Sequence, residues 1–491
     1  MGLDILYGVS TTYNKIMVNS VLIVGGGTAG LTAALILKNR FPKLIVDVVK
    51  SDDIGIIGVG EGSTEHWKEF SDFCGFTLSE LINETKATFK FGIMFEEWTK
   101  NPYFHNVTGE LNGIRYGQYL GGFAYASLNN LIPEQYTNSY CFKNKIILNN
   151  YPNQFHFNTF KLNEFLLNKC LKIGINIYVD TILDININEN GNIKNIKSNN
   201  KDYKYDFYID STGFKKILIS KLGAKWISYK NYLPMNEAIA FPTEDTDEYT
   251  PYTLSRAMSS GWMWRIPTIG RWGNGYVFNN NYIDADQAKK ECEDYFGFKV
   301  EIAKNIKFEA GTLDRPWIKN CVAIGLSSSF IEPLEATSIG TSIQQSFLLM
   351  HLLINYKESD IQLYNDRFKD IVENIRDFVM LHYMVDKNNS KFWKELKLNI
   401  PESLLDNLKK WKYRLPISED FKTKYVLFKE SNFSVLLKEL NLVDKESLKK
   451  EYDMLNDLIK NDIQNKVNNL IYYNENSDLI SHKKFLELYI N

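Results

Sequence analysis

Three glycines, Gly25, Gly27 and Gly30, stand between the apolar run Val21-Leu22-Ile23-Val24 and the helical run Leu31 to Lys38. In this GxGxxG spacing the first glycine permits a tight turn and the second lets backbone approach a pyrophosphate. The third lets the helix pack closely on the strand. The N–H groups and positive dipole end of the helix then face phosphate oxygens. The second apolar run, Leu44 to Val49, completes a strand–turn–helix–strand unit, the context in which the glycine pattern predicts dinucleotide binding. The acidic residue expected about 20 positions further on, for a ribose hydroxyl, is replaced by Lys50, with Asp52 and Asp53 following. No second glycine motif of this kind is present in the sequence.

Three further segments carry side chains able to do chemistry. Gly261-Trp262-Met263-Trp264-Arg265-Ile266-Pro267 places two Trp at alternate positions, which on a strand share one face and make a rigid aromatic wall. The glycine-rich loop Gly58-Val59-Gly60-Glu61-Gly62-Ser63-Thr64 is followed by Lys86-Ala87-Thr88-Phe89-Lys90-Phe91. The run Gly325-Leu326-Ser327-Ser328-Ser329-Phe330-Ile331-Glu332-Pro333-Leu334-Glu335-Ala336-Thr337-Ser338-Ile339 reads as a helix start, with Pro333 in its first turn and acidic groups near the positive dipole end. By residue type and spacing alone, Lys86 is a solvated surface charge and the two Trp are core residues.

Together these segments resemble the flavin-dependent halogenases of the tryptophan halogenase family. WMWRIP is similar to the family's WxWxIP motif, GVGEGST to its GVGEAT strap, KATFKF to its KxxxKF segment, and GLSSSFIEPLEATSI to its GLxxxFxEPLESTxI segment. The resemblance spans residues 20–355 and implies an oxidoreductase that uses reduced FAD, oxygen and a halide to make hypohalous acid. That oxidant halogenates an electron-rich aromatic of indole, phenol or pyrrole type at a separate site. It implies Lys86 and Glu335 as catalytic residues, and halide held by the N–H groups of Thr337 and Ser338. FAD contacts fall on Gly25, Gly27, Thr28, Ala29, Gly30, Gly60, Glu61, Ile182, Leu326 and Ile339. Trp262, Trp264, Ile266 and Pro267 form the motif wall. His105, in Phe104-His105-Asn106-Val107, is the nearest counterpart of the family's substrate-sandwiching His-Pro-Phe segment, whose Phe is here Val107. Ala336 stands where the family usually has Ser. A flavin reductase is the implied partner. An aromatic hydroxylase of the same fold is the alternative reading, and a degenerate flavin-binding protein a more distant one.

The elements that must position these residues follow from pattern. The fold class is α/β: a Rossmann-like FAD-binding domain of flavin monooxygenase type, with a mostly helical C-terminal region. Residues 1–18 read as a leader. Residues 19–355 read as the FAD-binding module with inserted substrate-side strands, and residues 356–491 as helices completing the substrate site. The stretch 140–280 reads as alternating short strands and turns. With 491 residues, 44% of them hydrophobic, the chain can bury a large core, and 14% aromatic content suits either that core or a pocket for a planar ring. A net charge of −2 gives no basic surface for nucleic acid and no polybasic membrane patch. Five scattered cysteines suggest reduced thiols in a cytoplasmic protein, and six histidines without metal-ligand spacing suggest no metal. The sequence leaves homo-oligomerisation open.

Overall fold

Strand Ser20–Val24 is apolar because both of its faces are covered. It lies at the centre of a six-stranded sheet, parallel to Ile45–Lys50 on one side and to Phe207–Asp210 on the other. Asn176–Val179 extends one edge in parallel, and Cys321–Ala323 with its antiparallel neighbour Trp317–Ile318 extends the other. This computed structural model describes residues 15–52, 55, 61–105, 145–147, 154–246, 248–476 and 479–490.

Helix Thr28–Arg40 is buried from Gly30 to Leu37 because it is sandwiched. Helix Thr337–Leu352 and helix Thr159–Lys172 both pack against it. Helix Thr159–Lys172 falls inside the stretch read as strands and turns. Asn158 caps it by accepting hydrogen bonds from the N–H groups of Phe160 and Lys161, and Leu162, Phe165, Leu166 and Cys170 bury one stripe at helical spacing. Strand Phe207–Asp210 ends in the turn expected of it. There the Asp210 carboxylate accepts from the N–H groups of Thr212, Leu218 and Ile219 at 2.8–3.0 Å, fixing the chain beside the glycine turn. The leader differs from expectation at its end: Ile16–Met17 pairs with Asn355–Tyr356.

A second sheet of seven strands runs in the order Lys304–Lys307, Glu237–Thr243, Arg271–Phe278, Gly261–Thr268, Thr253–Met258, Ile93–Glu96, Tyr103–His105. It is antiparallel except where Ile93–Glu96 joins Thr253–Met258 in parallel. A small third sheet pairs Gln154–Phe157 with Glu61–Gly62 and with Thr88–Lys90. Long-range closure comes from the helical C-terminal region. Helix Glu358–His382 packs on helix Thr337–Leu352, and helix Glu430–Glu439 packs on strand Tyr103–His105. An extended apolar cluster joins both large sheets to the helices, with Trp67, Trp98, Trp262, Trp317 and Trp411 fully buried, and two smaller clusters cover the other faces of the sheets. No helix among the described residues is long and apolar enough to cross a membrane.

Candidate active site

The glycine turn opens onto a cleft of about 760 Å³. Gly25 has φ +119°, and a Cβ there would fall 2.0 Å from the Ser211 carbonyl oxygen. A Cβ on Gly30 would fall 2.2 Å from the Gly25 carbonyl oxygen, so that glycine sets the helix against the turn. Gly27 differs from both: a Cβ there meets nothing within 4 Å, because the position faces the cleft. Helix Thr28–Arg40 begins with no side-chain cap and no acidic residue in its first turn, which leaves its N–H groups available to an anion. These features fit the pyrophosphate of a dinucleotide. Thr28, Ala29, Glu61, Ile182, Leu326 and Ile339 line the same cleft, while Gly60 lies outside the described residues. Lys50 also lines it, with its ammonium paired to Asp52. Desolvation pushes the half-buried Glu61 carboxyl up to about 7.

Pro333 and Leu334, from the turn Pro333–Glu335, the left-handed Ala336 (φ +54°) and the start of helix Thr337–Leu352 also line the cleft. That helix also lacks a side-chain cap and early acidic residues, so the N–H groups of Thr337 and Ser338 meet the cleft without an intrahelical partner. Trp264 and Ile266 line the cleft wall. Trp262, two residues before Trp264 on the same strand face, is fully buried and donates its indole N–H to Glu332 Oε1 at 3.0 Å. Tyr383 donates its hydroxyl to the same oxygen. Burial pushes the Glu332 carboxyl up to about 7 against these two hydrogen bonds. Pro267 accepts from the Thr88 hydroxyl through its carbonyl oxygen at 2.7 Å.

Lys86 does not belong to this site. It is the left-handed residue (φ +57°) that ends helix Leu78–Thr85, and it is exposed. The chain turns there and enters strand Thr88–Lys90, where alternation sends Thr88 and Lys90 inward together. Lys90 is fully buried, and its ammonium donates to the Ser63 carbonyl oxygen at 2.8 Å. Burial pushes the amine down to about 8, while the Glu335 carboxylate opposes that shift. Lys90 Nζ lies 3.4 Å from the position a Cβ on Gly62 would take, and that position is 3.2 Å from the Ala336 methyl. Gly62 and Ala336 both line the cleft, so the lysine sits directly behind this part of its wall.

Glu335 is buried between two imidazoles. His105 Nδ1 lies 3.0 and 2.9 Å from its two oxygens, and His382 Nε2 lies 2.8 Å from Oε1. Burial alone raises a carboxyl, but the charge and hydrogen bonds of the two histidines outweigh it and bring Glu335 down to about 2. Asn432 Oδ1 accepts from the Lys429 N–H, and the side-chain amide of Asn432 lies 3.1 Å from His105 Nε2. His105 was expected against the substrate. Both of its nitrogens are instead used within the protein. His382 and Asn432 come from the C-terminal region, and sequence reading assigned neither a part in the site. They lie 47 and 97 residues beyond Glu335, as the numbering shows. Among the described residues, no group of three His, Cys, Asp or Glu is arranged to hold a metal ion.

The sequence model of a family described as tryptophan halogenase matches residues 20–454. The tryptophan 6-halogenase SttH of Streptomyces toxytricini is 28% identical over 456 residues, covering 82% of this chain and 85% of that one. The crystal structure of SttH matches with a TM-score of 0.82 at 27% identity, over 96% of this chain and 99% of that one. Xcc4156, a flavin-dependent halogenase from Xanthomonas campestris, matches with a TM-score of 0.80 at 27% identity, over 96% and 99% of the two chains.

Proposed function

Because the chain belongs to the tryptophan halogenase family, we propose that it is an FAD-dependent halogenase whose catalytic lysine is Lys90. One observation carries that residue assignment. Lys90 is the buried ammonium behind the wall of the nucleotide cleft, with a single hydrogen bond among the described residues and a depressed pKa, while Lys86 is exposed. When bound, reduced FAD supplies, with oxygen and a halide, the hypohalous acid. Gly25, Gly27, Thr28, Ala29 and Gly30 would hold the phosphates, Ile182 and Leu326 would line the rest of the cofactor's cleft, and the N–H groups of Thr337 and Ser338 would hold the halide. The single glycine motif supports a separate flavin reductase as the source of reduced FAD. Four free cysteines among the described residues suit a reducing cytoplasm.

The substrate is an electron-rich aromatic of indole, phenol or pyrrole type. Lys90 donates a hydrogen bond to the oxygen of hypohalous acid and so weakens its bond to halogen. The halogen bonds to a ring carbon, and the oxygen departs as water with the proton lost from that carbon. Glu335, held at about 2, stays ionised and stabilises the positive charge that builds on the ring. His105 and His382 are positioning residues that keep its carboxylate in place and charged. The test is a substrate panel supplied with a flavin reductase, FAD, oxygen and chloride, bromide or iodide, read by mass spectrometry. Halide-dependent halogenated product is expected. A hydroxylated product formed without halide sinks the reading.

A further inference from the structure

The small sheet that carries Lys90 has one apolar and one polar face. Phe89, Phe155 and Phe157 occupy the first. Register sets Thr88 opposite His156 and Lys90 opposite Gln154, and directly opposed residues of an antiparallel pair project to the same side. Thr88, Lys90, Gln154 and His156 therefore share the second face, and all four are fully buried. Thr88 and His156 are satisfied: the Thr88 hydroxyl meets His156 Nδ1 and the Pro267 carbonyl, and His156 Nε2 meets the Thr253 hydroxyl at 2.9 Å. Lys90 uses one of its three donors on Ser63. Among the described residues, neither the amide nitrogen nor the amide oxygen of Gln154 has a hydrogen-bond partner.

A fully buried primary amide with both ends open is costly to fold unless a ligand takes both. We propose that Gln154 is a substrate-recognition residue, with its amide donating to and accepting from one group of the aromatic that lies against Lys90. The proposal rests on the halogenase reading and narrows its substrate. An indole N–H only donates, and an aryl ether only accepts. A phenol hydroxyl does both, so the geometry favours a phenolic ring. Side chains of opposed residues start about 5 Å apart, so a hydroxyl held by Gln154 brings the ring carbon beside it to Lys90 and directs halogen to the ortho position.

The test measures calorimetric binding of 2-naphthol, 2-methoxynaphthalene and indole to the FAD-loaded wild type and to Gln154→Leu. Wild type should bind 2-naphthol about tenfold more tightly than either analogue, and the variant should lose that preference. Its melting temperature should not fall, because an unbonded polar group has been removed. A preference absent from wild type, or retained in the variant, overturns the proposal. Gln154→Met guards against a folding failure particular to Leu; loss of FAD binding in both variants shows a structural role and also overturns it. Hypohalous acid formation without substrate, trapped by a chemical halogen acceptor, is read separately. Its absence alongside intact 2-naphthol preference removes the halogenase reading and leaves the recognition by Gln154 standing.

Discussion

The nucleotide cleft and the lysine site behind it are built on opposite principles. The cleft is made mostly of backbone: glycines that admit close approach and two helix starts whose N–H groups are left open. The lysine site is made of side chains removed from water, namely Lys90, Gln154, Glu335, His105 and His382. A backbone site is fixed by a few consecutive residues, so it binds strongly and tolerates varied side chains nearby. A desolvated side-chain site makes each charge count for more, and each of its members is correspondingly hard to replace.

That contrast predicts where substitutions hurt. Lys90→Met should lower substrate halogenation by about 10³-fold while FAD binding and hypohalous acid formation persist, and Lys86→Ala should leave all three unchanged. Coupled turnover assays with a halogen trap separate these outcomes, and the reverse pattern would restore the exposed lysine. Next in size, Glu335→Gln should slow halogenation by about 10²-fold without changing FAD affinity measured by fluorescence titration. In the cleft, Gly27→Ala should fold normally and weaken FAD by about tenfold, because its Cβ meets no protein atom and enters ligand space. Gly25→Ala should fail to give folded protein.

Two pH effects sharpen the comparison further. Lys90 loses its proton near 8, so halogenation per hypohalous acid formed should fall as pH rises through about 8. A rise over the same range would assign the step to the free amine. Glu332 is raised from 4.5 to about 7, so its folded form holds a proton that the unfolded chain has already released. Its contribution is full below about 4.5 and is lost as pH rises through about 7. Glu332→Gln should remove that loss and raise stability at pH 8 by up to about 3 kcal/mol, as melting curves at pH 4 and pH 8 will show.

The two regions also differed in how readable they were. Gly25, Gly27 and Gly30 declared the cleft because the turn, the approach and the helix start are all local. The EPLEATS segment likewise announced a helix start. Lys90 was missed because KATFKF offers two lysines, and the point where helix gives way to strand decides which one faces inward. The signal was present: Lys90 alternates with Thr88 between Phe89 and Phe91, all of them buried. The partnership of His105, His382 and Asn432 was not legible, since Glu335 meets His105 across 230 positions and Asn432 meets His105 across 327. Helix Thr159–Lys172 was legible from its Asn cap and was passed over because its neighbours are strands.

Gly62 and Ala336 approach within little more than a methyl group's width in the wall between the cleft and Lys90. On the proposed reading a triatomic oxidant passes between these two small residues and an aromatic ring does not. Bulk added there should turn a productive catalyst into a leaky one, diverting oxidising equivalents into the medium while every reacting group stays where it was.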